Sequence, residues 1–179
     1  MTGAPPSAAG PGGNRPETSG RAEPVHLATP AETRRWGAEL ATDLRAGDLL
    51  VVTGPLGAGK TVLVQGIAAG LGVSAPITSP TFVIARVHRD GRVPLVHVDA
   101  YRLTSLVEVD DLDLDVDVAD SVTVVEWGSG LVEHLAESYL EVRMAREDVG
   151  EVRRIDLIGH GERWRDVEGA RRQRTGRGR

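Results

Sequence analysis

Gly54, Gly59, Lys60 and Thr61 fall at the spacing G-x-x-x-x-G-K-T within the stretch GPLGAGKT. Glycines at 54, 57 and 59 let the backbone turn tightly and aim successive N–H groups at phosphate oxygens. A helix opening at Lys60 adds the partial positive charge of its N-terminus. The Thr61 hydroxyl can ligate a magnesium ion that bridges the outer phosphates. Lys60 is the only lysine among 21 basic residues. A phosphate contact beneath a tight loop calls for a compact ammonium on a flexible stem, and a planar guanidinium does not replace it there. The chemistry implied is the binding of a nucleoside triphosphate.

A second set of groups lies downstream. His97 and Asp99 sit two residues apart in an extended run, so they share one face. Asp99 is thereby aimed at a strand terminus, where sites form in α/β proteins, although it would equally cap the chain that follows. Glu126 ends the apolar run Val122 to Val125. An acid in that place can stand near magnesium or its attacking water. It can also be a charge emerging at a strand end. In Ser79-Pro80-Thr81-Phe82, Thr81 offers a switch-like hydroxyl, and the same residues suit a turn-to-strand boundary. Trp127 suits a core or a partner contact. The run EVDDLDLDVDVAD at 108–120 holds seven acids. It fails the calcium-loop pattern, because Val116 and Val122 stand where glycine and glutamate are required. A solvated acidic face is the favoured reading, with a docking surface for a basic partner as the alternative.

The elements that must position these groups follow from periodicity. Thr29-Pro30-Ala31-Glu32 has the form of a helix start, with Thr29 at the N-cap. Trp36, Leu40 and Leu44 then make one apolar stripe, and Gly47 is placed to end the helix. LLVVT at 49–53 reads as a buried strand, the glycine loop follows, and an apolar helix is expected from Lys60 to Leu71, closed by Gly72. TFVIARVH and VPLVHVDA flank Asp90-Gly91, a hairpin signal. SVTVVEW is another buried strand. YLEVRMA and RRIDLIG alternate apolar and polar residues, as a second hairpin would. Helix-linked and hairpin-linked strands together predict an α/β three-layer sandwich of the P-loop NTPase-like kind. Its central sheet is mixed and includes antiparallel hairpins.

The chain's 179 residues, 40% hydrophobic and 3% aromatic, suit one domain with an aliphatic core. Residues 1–24 are rich in Gly, Pro, Ala and Ser and are expected to form a disordered tail, leaving 25–168 as the folded domain. GARRQRTGRGR at 169–179 is expected to be a basic disordered tail. The absence of cysteine excludes disulfides and cysteine-held zinc. No run of about 18 apolar residues is present, so no membrane span is expected, and the N-terminus lacks the apolar core of a secretory signal. A cytoplasmic setting is the default. A net charge of −5 argues against a broad nucleic-acid surface, and no DNA partner is expected. The Asn-Lys-x-Asp signature of guanine readers is absent: there is no second lysine, and the only asparagine is Asn14. The Leu-Ser-Gly-Gly-Gln signature of transporter ATPases is absent as well. ATP is the better-supported nucleotide.

GPLGAGKT, SPTF, HVDAYRL and VEW, in this order, resemble the TsaE family, the ATPase component used by bacteria to make threonylcarbamoyladenosine beside the anticodon of tRNAs. The resemblance runs from about Thr29 to Gly130. It implies that Leu56, Gly57, Ala58, Gly59, Lys60, Thr61 and, from the first helix, Thr33 hold the nucleotide. Thr61, Glu126 and Asp99 would hold magnesium. Asp99, Glu126 and the switch-like Thr81 would serve hydrolysis. His97, Tyr101, Arg102 and Trp127 would belong to the surrounding functional face. The implied partners are TsaD and TsaB, with tRNA reached through that complex and ATP turnover weak in the free chain. In three places the chain departs from the family pattern. Pro55 stands for the usual Asp, Val62 for a second Thr, and Ala100 for Leu. None removes a phosphate or metal ligand. A small-molecule kinase and a non-catalytic nucleotide switch are the alternatives that the loop alone leaves open.

Overall fold

Burial dictates which of these runs become strands. The computed structural model describes residues 18–80, 84–103, 105, 108, 118–147 and 151–167. Four segments run parallel at its centre: β3 (Leu49–Thr53), β5 (Leu95–Asp99), β6 (Val122–Glu126) and β7 (Tyr139–Arg146). In β5 and β6 every residue is buried, His97, Asp99 and Glu126 included. Antiparallel strands extend both edges. β4 (Ala85–His88) pairs with β5, and β8 (Arg153–His160) pairs with β7. Two short strands, β1 (Thr18–Arg21) and β2 (Val25–Leu27), both pair with β8. The order is β1-β8-β7-β3-β6-β5-β4, with β2 beside β8 off that path, so the mixed sheet with antiparallel hairpins is present as expected.

Two α-helices cover one face. Helix α1 spans Pro30–Ala41 and α2 spans Lys60–Leu71. Thr29 caps α1, its hydroxyl accepting the Glu32 N–H at 3.1 Å, while the Glu32 carboxylate reaches back to the Ala28 N–H at 2.6 Å. Gly72 closes α2 in the left-handed conformation, as the sequence implies. The two helices touch through backbone. A Cβ on Gly66 would lie 2.2 Å from the Arg34 carbonyl oxygen, and one on Gly37 would lie 2.7 Å from that of Leu63. On the opposite face, Leu49, Val51, Val96, Val98 and Val125 form a second core beneath Leu131, Val132 and Leu135. Among the described residues this third layer includes loop segments and the 3-10 turn Glu133–Leu135.

The alternation of side chains then fixes the site. Leu50 and Val52 of β3, Leu95 of β5, and Val122 and Val124 of β6 point into the helix-side core. By the same two-residue period His97, Asp99 and Glu126 face α2. Asp99 and Glu126 are direct partners in the β5–β6 register.

Two expectations are corrected. Helix α1 stops at Ala41, where Thr42 caps it, and the Arg92 guanidinium donates to the carbonyls of Ala41 and Leu44. Gly47, with φ of +86°, serves instead in the turn before β3, its N–H donating to Ser121 O at 2.9 Å. The Asp90-Gly91 pair lies in the connection, residues 89–94, of the antiparallel β4–β5 hairpin, as the sequence signals. Asp90 is engaged elsewhere, its carboxylate accepting Ser74 N–H at 2.8 Å and Ser74 Oγ at 2.6 Å. These bonds pull its pKa down to about 2. Finally, β1 lies inside the stretch 1–24 expected to be a tail. TSGR has little to bury, but its backbone completes the edge of β8, and Ala22 beyond it is buried. Residues 1–17 and 168–179, Thr81 and most of the acidic run (109–117) lie outside the described residues.

Gly66→Ala should destabilise the fold by about 1–3 kcal/mol through overpacking at the α1–α2 crossing. Urea unfolding measures it, and an unchanged midpoint would contradict the backbone contact.

Candidate functional site

The parallel strands β3, β5 and β6 deliver their C-terminal ends to one edge, and the glycine loop leaves from the middle of that edge. Gly54 is there for closeness as well as conformation. Its φ is +141°, and a Cβ would meet the Met144 carbonyl oxygen of β7 at 2.2 Å. Gly59, with φ of +99°, turns the chain into α2. Pro55, the departure in the loop, serves by its carbonyl, which accepts the Ala58 N–H at 3.2 Å and the Lys60 ammonium at 3.0 Å. The lost N–H of a proline is no handicap at a position used as an acceptor.

Lys60 is buried beneath this loop. Its Nζ donates to Gly54 O at 2.8 Å as well as to Pro55 O, and lies 3.8 Å from the centre of the Trp127 ring. Burial pulls the Lys60 ammonium below the ordinary lysine pKa, while the charges of Glu126 and Asp99 act in the opposite direction. Trp127 is held at φ of +64°, a conformation rare for a bulky side chain. Its N–H donates to Val52 O at 3.0 Å, and its ring meets Tyr101 edge-on at 5.2 Å.

The acids have separate anchors. Glu126 Oε1 accepts the Thr61 hydroxyl at 2.9 Å and meets His97 Nε2 at 2.9 Å. Asp99 Oδ2 accepts the Ser79 hydroxyl at 2.7 Å, and Oδ1 accepts the Tyr101 N–H at 3.1 Å. Asp99 therefore does act as a cap, for the 3-10 turn Ala100–Arg102. It remains beside Thr61 and Glu126 on the wall of a cleft of about 550 Å³ that Leu56, Gly57, Gly59, Lys60, Tyr101 and Trp127 also line.

Other expected residues stand away from that wall. Thr33 is buried in the first turn of α1, donating its hydroxyl to Thr29 O at 3.2 Å. Ala58 is buried under the loop with its N–H used inside the turn. Arg102 is exposed at the end of the 3-10 turn. His97 is wholly buried behind Glu126, not on a surface. Thr81 lies outside the described residues. In its segment the structure brings forward Ser79, whose hydroxyl the motif contained but whose bond to Asp99 spacing alone does not reveal. Arg153 also lines the cleft and was missed. It opens β8, and only the antiparallel return of β7 to β8 carries it to this edge; no local signal marks it.

The donor set suits a hard cation and phosphate. One hydroxyl and two carboxylates are oxygen ligands of the kind magnesium takes, and magnesium fills its remaining positions with water and substrate phosphate. The glycine loop's backbone, Lys60 and the N-terminus of α2 could receive the anionic groups.

A mixed sheet that carries a glycine loop, a buried lysine and two acids to one edge defines a protein of the P-loop NTPase-like fold. The crystal structure of Bacillus subtilis YdiB shares it, with a TM-score of 0.69 at 27% identity over 88% of this chain and 95% of that one. Residues 27–155 match the family described as Threonylcarbamoyl adenosine biosynthesis protein TsaE. A Streptomyces coelicolor protein named tRNA threonylcarbamoyladenosine biosynthesis protein TsaE is 56% identical over 138 residues, covering 73% of this chain and 93% of that protein. A Mycobacterium tuberculosis protein of the same name is 52% identical over 124 residues, covering 64% and 74%. The chain belongs to the TsaE family. No helix among the described residues is long and apolar enough to cross a membrane.

Because Lys60 is the sole lysine, selective isotope labelling of lysine gives one ammonium signal to follow by NMR. Its titration midpoint should lie below that of free lysine. Glu126→Gln removes a charge that raises it, so the midpoint should fall further in that variant. A rise would contradict the geometry.

Proposed function

We propose that this chain is a magnesium-dependent ATPase that supports threonylcarbamoyladenosine formation in tRNA, acting with TsaD and TsaB in the cytoplasm. The observation that carries the reading is the convergence of Lys60, Thr61, Asp99 and Glu126 on one cleft at the strand ends. Family membership supplies the pathway.

In this reading the loop amides and Lys60 bind the phosphates of ATP. Lys60 must then exchange its bonds to Gly54 and Pro55 for phosphate oxygens, while Trp127 keeps water from its other side. Thr61, Glu126 and Asp99 would hold magnesium, which supplies charge neutralisation on the phosphates. Glu126 would also orient the attacking water. Tyr101 and Leu56, exposed on either side of the mouth, offer apolar surface that a partner could cover, consistent with turnover that is weak until TsaD and TsaB bind.

The test is multiple-turnover modification of tRNA reconstituted from TsaD, TsaB, ATP, an activated threonylcarbamoyl donor and this chain. Omitting the chain should stop turnover after the first round, and Lys60→Ala should not restore it. Glu126→Gln should bind ATP and fail to hydrolyse it, with a loss of at least about 100-fold in kcat. Modification that proceeds equally without the chain would overturn the proposal. Phosphate transferred to a metabolite instead of released would favour a kinase.

A further inference from the structure

We infer that His97 is a positioning residue whose Nε2–H fixes the Glu126 carboxylate against Thr61, in the orientation hydrolysis requires. This rests on the ATP-hydrolysing reading above, and it moves His97 from a surface role to one behind the site. His97 is completely buried in the middle of β5. A histidine there is a costly choice if packing is all that is needed, since a buried ring nitrogen without a partner loses its hydration. The register explains what the ring gains. His97 stands opposite Val124, and Glu126 lies two residues further along β6 on the same face. That diagonal is within reach of a long side chain. The observed separation of Nε2 from Glu126 Oε1 is 2.9 Å.

The hydrogen's place follows from the other nitrogen. Nδ1 is buried and, among the described residues, has no hydrogen-bond partner. A hydrogen there would be unsatisfied, so it belongs on Nε2, pointing at the carboxylate. Glu126 Oε1 then accepts from two donors on two rigid elements, Thr61 of α2 and His97 of β5. Among the described residues these are its hydrogen-bond donors. The other charged groups nearby do not duplicate His97. Lys60 gives its bonds to loop carbonyls, Arg86 of β4 donates to Thr78 Oγ1, and His88 of β4 lies at the strand's far end opposite Leu95. Asp99, on the same strand, is fixed independently by Ser79 and Tyr101. Removing His97 therefore frees one carboxylate of the pair and leaves the phosphate loop untouched.

Two measurements test this. In the free protein, ¹⁵N NMR of the imidazole should show the hydrogen on Nε2, and Glu126→Ala should remove the hydrogen-bond signature of that N–H. In steady-state hydrolysis, His97→Leu, which has no donor, should lower kcat on the order of tenfold. Its KM for ATP should change less than its kcat, because the loop amides and Lys60 are unaltered. His97→Gln, which can present an N–H near the Nε2 position, should recover most of the lost kcat. A hydrogen on Nδ1, or equal losses in the Leu and Gln variants, would overturn the inference. If the unaltered chain and its partners hydrolyse no ATP, the hydrolytic reading fails, and the NMR result still decides whether His97 holds Glu126.

Discussion

The site depends on one bridging carboxylate. Glu126 ends a central strand, yet its oxygens are claimed by the first turn of α2 through Thr61 and by the neighbouring strand through His97. A buried acid is tolerable only when its lone pairs are occupied, so the bonds that make Glu126 affordable also lock the glycine loop to the sheet. Lys60 is drawn into the same arrangement. Its charge sits between the loop carbonyls, the Trp127 ring and the two acids, in a space that excludes water from most of its surface. The left-handed backbone of Trp127 is the strained part of this arrangement, and it lies directly after Glu126.

A second polar tie operates at the opposite edge of the sheet. Arg163 forms two bonds to Asp48, Nε to Oδ1 at 3.0 Å and a second at 3.1 Å to Oδ2, and also donates to Asp43 O. Bidentate geometry of this kind fixes direction as well as distance. It fastens the last 3-10 turn, Glu162–Trp164, to the start of β3, while Trp164 packs against Gly159 and fills the helix-side core. The strand that delivers the glycine loop is thus anchored at both ends, by Asp48 below and by the loop's contact with β7 above.

Much of this was legible because apolar pattern and burial coincide. LLVVT, the helix from Lys60 to Leu71, and the β7–β8 hairpin fall where the sequence places them, since each buries a continuous stripe or an alternating face. The acids were legible for the same reason: a charge at the end of an apolar strand has one place to go. What was hidden depends on chain return. Arg153 reaches the cleft only through the hairpin, Arg92 caps a helix fifty residues upstream, and β1 is held by backbone bonds that leave no side-chain signature. His97 was visible as a residue and misread in place, because parity put it on the right face while only the β5–β6 register shows that Glu126 lies between it and the cleft. Pro55, a departure from the family pattern in sequence, proves to be one of the lysine's acceptors.

Lys60, Thr61 and Glu126 form the proposed magnesium-nucleotide site. Calorimetric titration of the intact chain with ATP, in the presence and absence of magnesium, tests it most directly. One site per chain is expected, with magnesium tightening binding by about tenfold or more, as when an ion links phosphate to protein oxygens. Binding of equal strength without magnesium, or no binding at all, would contradict it.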